Sequence, residues 1–380
     1  MENKWCDNVY RIFDVLRFPL VLLIVFIHCK WIPDDFSICW QNLDVMSVYN
    51  IIRMYISSVI SVVAVPIFFL ISGYLFYNNI DELTFKSYMG KIVRRLKNLI
   101  VPYFFWIIMF IIGNILMLTH NIWWTDIWEQ ILVFLRNHGG WHIFFDCQLM
   151  DTLNPEPIGF MQDNSAPLLV PMWFVRDLFI VSLFSPILWW SIKKVGCSIV
   201  LILGICNVFS IWPYIHGVSV QSFFFFSLGI LLSLKSNKMD DFFQKYGLLL
   251  IIVYILSSLG ILYLMSINYL LLSYLGRFYT IWGTITVLFI AYNLIEWKYA
   301  WVLQWLAKSS FFVYASHMVF ISHYTCMYVC SITGDDGNNA ILLFVNYLIV
   351  PLLISFVCVS SYFCIRHFCP KLLIIMNGGR

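Results

Sequence analysis

Residues 11–28 read RIFDVLRFPLVLLIVFIH. Ten uncharged residues separate Arg17 from His28, and the apolar run around them extends over 12–32. A membrane-spanning helix needs about 20 predominantly apolar residues, so this run predicts a transmembrane helix. It has no small-residue cleavage site and carries Arg17, so it is expected to stay as a helix and not to be removed as a signal peptide.

Further apolar runs follow at 51–77, 99–120, 168–190, 196–213, 220–234, 246–267, 278–295, 309–334 and 341–365. The weakest is VQSFFFFSLGILLSL at 220–234, which is short for a span. Composition agrees with the runs: 61% of residues are hydrophobic and only 11% charged. Soluble domains carry about 25% charged residues, so the missing polar surface must face lipid. The reading is an all-α, polytopic membrane bundle of about ten transmembrane helices, with 1–380 as a single domain.

Orientation follows from the basic residues, which concentrate on the cytoplasmic side. Lys86, Lys91, Arg94, Arg95 and Lys97 fall in one connection; Lys193 and Lys194, Lys235 and Lys238, and Lys298 and Lys308 mark others; Arg366, Lys371 and Arg380 end the chain. The alternate loops are acidic or neutral, with Asp34, Asp35 and Asp44, then Asp126, Glu129 and Asp151, then Asp335 and Asp336. The alternation runs through all ten runs and places both termini in the cytoplasm. The one long loop, 121–167, is external and opens on WWTDIWEQILVFLRN, an amphipathic stretch suited to the membrane surface. No basic tract of the nucleic-acid-binding kind is present. Most of the 11 cysteines sit in apolar runs, where they act as small hydrophobes; neither a disulfide framework nor a metal site is expected from them.

Ionisable residues inside spans are costly and are functional candidates by default. Eleven steps of about 100° bring Arg17 and His28 to one helix face, about 16 Å apart along the axis. Arg17 can be an anchor paired with Asp14, and His28 a packing histidine. Together they point to chemistry. A cation near the inner boundary can hold phosphates, and a neutral imidazole deeper in can take a proton from a hydroxyl. A molecule with a phosphorylated head and a long arm, the shape of acyl-coenzyme A, would link the two positions.

Five segments in order carry a resemblance: RFPLVLLIVFIH with its Arg and His separated by ten residues; VPIFFLISGYLF at 65–76; RRLKNLIVPYFFW at 94–106; MWFVRDLF at 172–179; and SSFFVYASHMVF at 309–320, with Tyr314 and His317. They resemble the membrane acyltransferase 3 family, in its compact form with no appended extracytoplasmic domain. The family's basic segment often has two arginines three apart; here Asn98 stands three after Arg95, with Lys97 adjacent.

The resemblance implies an O-acyltransferase of the inner membrane. It would move an acyl group, acetyl above all, from cytoplasmic acyl-coenzyme A to a hydroxyl of a cell-surface glycan or lipid-linked glycan precursor. No resident cofactor is expected. His28 and Arg17 would be catalytic, His28 as general base or transient acyl carrier. Arg94, Arg95 and Lys97 would draw the donor's phosphates.

Ser72 could act as a nucleophile, but a Ser-Gly pair in a membrane helix also serves close packing. Arg176 and Asp177 fit an ion pair as well as a substrate contact, and His317 fits a polar network as well as catalysis. His323 reads as structural. His138 and His142 could meet an acceptor sugar or be solvated. The rival reading is a glycan or lipid transporter with the same polar residues lining a path. Oligomeric state is left open by the sequence.

Overall fold

A computed structural model of the chain describes residues 4–29, 40, 43–80, 82–118, 140–146, 166–213, 215, 217–267, 271–334 and 339–379. Among them every regular element is helical. The amphipathic stretch at 123–137, His138 and the side chain of His323 lie outside the described residues.

Helix α1 is Lys4–His28. Helix α2 is Val45–Tyr77, with a π-helical turn at Tyr55–Ile60. Helix α3 runs from Phe85–Arg95 through a π-helical turn, Leu96–Ile100, into Val101–Leu118. Then come α4 (Trp173–Val195), α5 (Cys197–Phe209), α6 (Val220–Leu234), α7 (Met239–Ser266) and α8 (Leu272–Leu294). A short α9, Ala300–Ala307, precedes α10, in which Ser310–Ser316, a π-helical turn His317–Ile321 and Ser322–Thr333 follow without a break. Helix α11 is Ala340–Phe368, and Pro370 opens a last short helix, α12, Pro370–Asn377.

The chain is a multi-pass membrane protein. Among the described residues, six helices are long and apolar enough to cross a bilayer: α2, α3, α4, α7, α8 and α11. The sequence predicts about ten crossings; the other four candidate runs are not among these six. Helix α1 has 25 residues but carries Arg11, Asp14 and Arg17. Helices α5 and α6 have only 13 and 15 residues, against the roughly 20 that a span needs. The middle side chains of α10 lie outside the described residues. The basic segment 86–97 is not a loop: it is the first three turns of α3.

Helix α1 is the hub and touches α2, α8, α9, α10 and α11. The most extensive contact in the bundle joins α2 to α6, and glycine makes it possible. A Cβ on Gly73 would lie 2.1 Å from the Phe226 carbonyl oxygen, and one on Gly229 would lie 2.1 Å from that of Leu70. Lipid supplies no hydrophobic drive between helices, so close backbone approach at small residues is what holds them.

Candidate functional site

The first turns of α1 are tied down by polar contacts. The backbone N–H of Trp5 donates to the Asp240 carboxylate at 3.1 Å, and the Trp5 indole donates to the Tyr74 hydroxyl at 3.1 Å. At the far end, Ser57 in the π-helical turn of α2 donates to the Phe26 carbonyl at 3.0 Å and pairs with the Tyr347 hydroxyl at 2.7 Å. The last four carbonyls of a helix lack partners within it; Ser57 supplies one and so fixes the turn that carries His28.

Between these ends lies a cavity of about 730 Å³. Asp14, Arg17, Ser72 and Tyr314 line it, together with Gln304, Lys308, Arg366 and Asn377. Arg17 and Asp14 are paired at 2.9 Å, each side chain a little over one-third exposed. The anchor geometry and the cavity position therefore hold at once. Ser72 and Gly73 divide their roles: Gly73 packs against α6, and Ser72 faces the cavity.

The basic segment splits as well. Arg95 turns inward and donates to Ser72 Oγ at 2.7 Å and to Ser182 Oγ at 2.7 Å, with its guanidinium over the Phe76 ring at 4.6 Å. Arg94 and Lys97 are exposed. None of the three is among the cavity walls; Arg95 reaches the cavity only through Ser72.

One helical turn beyond Tyr314 stands His317, fully buried where the π-helical turn begins. Its Nδ1 faces two carbonyls, Tyr314 at 2.8 Å and Val313 at 3.3 Å. Carbonyls only accept, so the ring proton sits on Nδ1 and Nε2 is left as the acceptor. Nε2 is buried and has no hydrogen-bond partner among the described residues. The rings of His28 and His317 lie 5.3 Å apart, tilted by 41°. Two histidines 289 positions apart in sequence thus meet. π-helical turns insert one residue into a helix and often mark functional sites; here one begins at His317. Tyr314 stands between the cavity and the pair, its hydroxyl donating to the Pro171 carbonyl and its ring packed edge-on against Phe174.

Arg176 and Asp177, adjacent on α4, do pair. Arg176 Nε and Nη2 both reach Asp177 Oδ1 at 2.9 Å, and both residues are buried. Arg176 also donates to the Phe145 carbonyl and stacks on its ring. The pair pins the segment 140–146 to the start of α4, and neither Arg176 nor Asp177 is among the cavity walls. His142 sits half-buried in the 3₁₀ turn of that segment.

The site residues not anticipated from sequence are Gln304, Lys308, Arg366 and Asn377. The one signal available was Gln304 and Lys308 at i,i+4, a spacing that puts both on one helix face.

Comparison with known proteins identifies the family. The acyltransferase domain model of the acyltransferase 3 family matches residues 10–360. The succinoglycan biosynthesis protein ExoH of Rhizobium meliloti (strain 1021) is 21% identical over 383 residues, covering 98% of this chain and 93% of that protein. No solved structure matches. The matched stretch runs from within α1 through most of α11, with Arg17, His28, Tyr314 and His317 all inside it, and the chain belongs to the acyltransferase 3 family.

Proposed function

We propose that this protein is an inner-membrane O-acyltransferase with ten crossings and both termini in the cytoplasm, taking its acyl group from cytoplasmic acyl-coenzyme A. The acceptor is a hydroxyl of a cell-surface glycan or of its lipid-linked precursor, a reading supported by similarity to a succinoglycan biosynthesis protein. The acyl group is acetyl.

One observation carries the reading. The helix that places Arg17 in the cavity wall also places His28 against His317, one turn past the cavity's Tyr314. Along α1 the two positions are about 16 Å apart, a distance for the long arm of the donor to bridge.

In the proposed step, an imidazole of the pair takes the proton from the acceptor hydroxyl. The oxygen attacks the thioester carbonyl, the C–O bond forms and the C–S bond breaks. The coenzyme A thiolate leaves and receives the proton from the imidazolium, so the site ends as it began. If His28 instead carries the acyl group, the same proton and thiolate balance holds over two steps. Arg17 positions the donor, and Arg94, Arg95 and Lys97 raise its local concentration at the inner face.

The test is acceptor-dependent release of free coenzyme A by the purified protein, with mass spectrometry of surface glycans from cells with and without the gene. Movement of glycan across the bilayer with no thioester consumed would overturn the enzyme reading in favour of a transporter.

A further inference from the structure

The inner cavity has one carboxylate in its wall, Asp14, and three cations: Arg17, Lys308 and Arg366. Asp14 is already bound to Arg17 at 2.9 Å. The excess positive charge is therefore carried by Lys308 and Arg366, which join no ion pair among the described residues. Gln304 adds a second, independent sign of a ligand. It lines the same cavity, and its Nε2 is buried without a hydrogen-bond partner among the described residues. Buried donors are almost always paired, so an acceptor-rich group is the natural occupant. Gln304 and Lys308 are one turn apart on one face of α9.

Packing explains why these groups converge. The Trp305 and Phe363 rings stack at 4.4 Å and 10°, which clamps α9 to α11. Lys308 and Arg366 each follow a member of that stack by three residues, so both project from the clamped turns. The chain then turns back at Pro370. The Trp106 indole donates to the Met376 carbonyl at 2.8 Å, which fastens α12 to α3. Gly378, at φ +67°, sits where a Cβ would lie 2.4 Å from the Asn98 carbonyl oxygen. Through these contacts α12 brings Leu373 and Asn377 into the cavity wall. The family match ends at residue 360, so Arg366 and α12 lie beyond it.

We infer that Gln304, Lys308 and Arg366, closed in by α12, form the phosphate-binding end of the donor site, and that the terminal segment past the family match completes that site. The ligand class is a phosphorylated nucleotide, namely the head of the acyl-coenzyme A that the proposed function requires. The inference rests on that reading. It moves the phosphate contacts from the exposed α3 cations to α9 and α11: Arg94 and Lys97 lie outside the cavity, and Arg95 is committed to Ser72 and Ser182.

The experiment uses the full chain in nanodiscs and measures coenzyme A binding together with acetyl-coenzyme A kinetics. Lys308→Gln and Arg366→Gln are both exposed changes that leave the core intact. Each is expected to raise the donor Kd and KM about tenfold, as loss of one charge-assisted phosphate contact does, with turnover at saturation within about twofold. Arg366→Lys should recover part of the loss, since it keeps the charge and loses the fork. Neutral behaviour of both Gln variants, with affinity lost instead in an Arg94→Gln, Lys97→Gln double variant, overturns the inference and leaves the enzyme reading standing. If the wild type binds coenzyme A nowhere, the enzyme reading fails first. Nanodiscs of phosphatidylglycerol and of phosphatidylcholine separate nucleotide from lipid. Coenzyme A binding that is equal in both supports the nucleotide. Phosphatidylglycerol retention that follows Lys308 and Arg366, with no coenzyme A binding, assigns the cations to headgroups and overturns the inference.

Discussion

The cavity and the histidine pair are neighbours built on opposite principles. The cavity holds three cations and a carboxylate, and its Arg17–Asp14 pair is more than one-third exposed. At the histidine pair His317 is fully buried, with its Nδ1 held by backbone carbonyls, and His28 is half-buried. Water-screened charge suits holding an anion reversibly, whereas a water-free imidazole suits moving a proton and keeps a thioester from hydrolysis. In the proposed reading, binding and chemistry are separated along one helix, α1, which carries Arg17 at the cavity and His28 at the histidine pair.

The largest effect that could break this division is at the pair. His28→Gln keeps size and some hydrogen bonding but cannot take and return a proton near neutral pH. Acyl transfer per folded molecule should fall by about 100- to 10,000-fold. His317→Gln should fall within the same range if the two rings work as a unit. The readout is transfer normalised to folded protein in the membrane, because a packing histidine would instead lower abundance and leave specific activity near normal. Full specific activity in both variants would remove the chemistry from this region altogether.

Next in size is a test of whether the two regions can be varied independently of the bundle. Gly229→Val puts side-chain carbons where the Leu70 carbonyl oxygen lies 2.1 Å from a Cβ. Neither helix can yield without moving α2, which carries Ser72 of the cavity wall. Overpacking typically costs about 1–3 kcal/mol, and a backbone clash belongs at the upper end. Thermal unfolding in detergent should shift down markedly, with both donor binding and turnover lost together. A Gly229→Val protein of wild-type stability would mean that the α2–α6 contact is looser than it stands here.

A smaller and more selective effect is expected from the Arg17–Asp14 pair, with opposite signs for its two members. Arg17→Gln removes a cation from the wall and leaves Asp14 facing the donor; KM for acetyl-coenzyme A should rise about tenfold. Asp14→Asn frees Arg17, and KM should fall by up to about fivefold, the range of a partly exposed ion pair. Steady-state kinetics at low and high salt would check this, with both changes shrinking in salt. A rise in KM for Asp14→Asn would show that the carboxylate orients Arg17 more than it competes with the donor.

Much of this division is legible in sequence, for a reason that also sets its limit. Arg17 and His28 share a helix, so the 3.6-residue period alone fixes their common face. The meeting of His28 with His317 depends on how α10 packs on α1 and on a π-helical turn that no period predicts. Lys308 and Arg366 read as markers of the cytoplasmic side, because each stands at a helix end and nothing local says that the two ends face one cavity. Arg95 is harder still. It belongs to a basic segment that reads as cytoplasmic and phosphate-attracting, yet Ser72 and Ser182, from α2 and α4, draw it inward. Helix existence follows from apolar runs; the inward or outward aim of a long cation follows from partners far away in sequence.

The smallest effect lies at the boundary between the regions, at Tyr314. Its ring lines the cavity, its backbone carbonyl accepts from His317 Nδ1, and its hydroxyl is committed to the Pro171 carbonyl. A hydroxyl so bound is a fastener between α10 and the turn before α4, not a proton donor to substrate. Tyr314→Phe keeps the ring against Phe174 and the carbonyl beside His317, and loses only that bond. A net hydrogen bond contributes about 0.5–1.5 kcal/mol, and the buried carbonyl left behind adds a similar penalty. Thermal stability should drop by a few degrees for a chain of this size, while turnover stays within about tenfold of wild type. The comparison that matters is with His28→Gln under the same normalisation. A loss in Tyr314→Phe as deep as in His28→Gln would place the Tyr314 hydroxyl in the proton path, and the boundary between binding and chemistry would then have to be drawn on the cavity side of Tyr314.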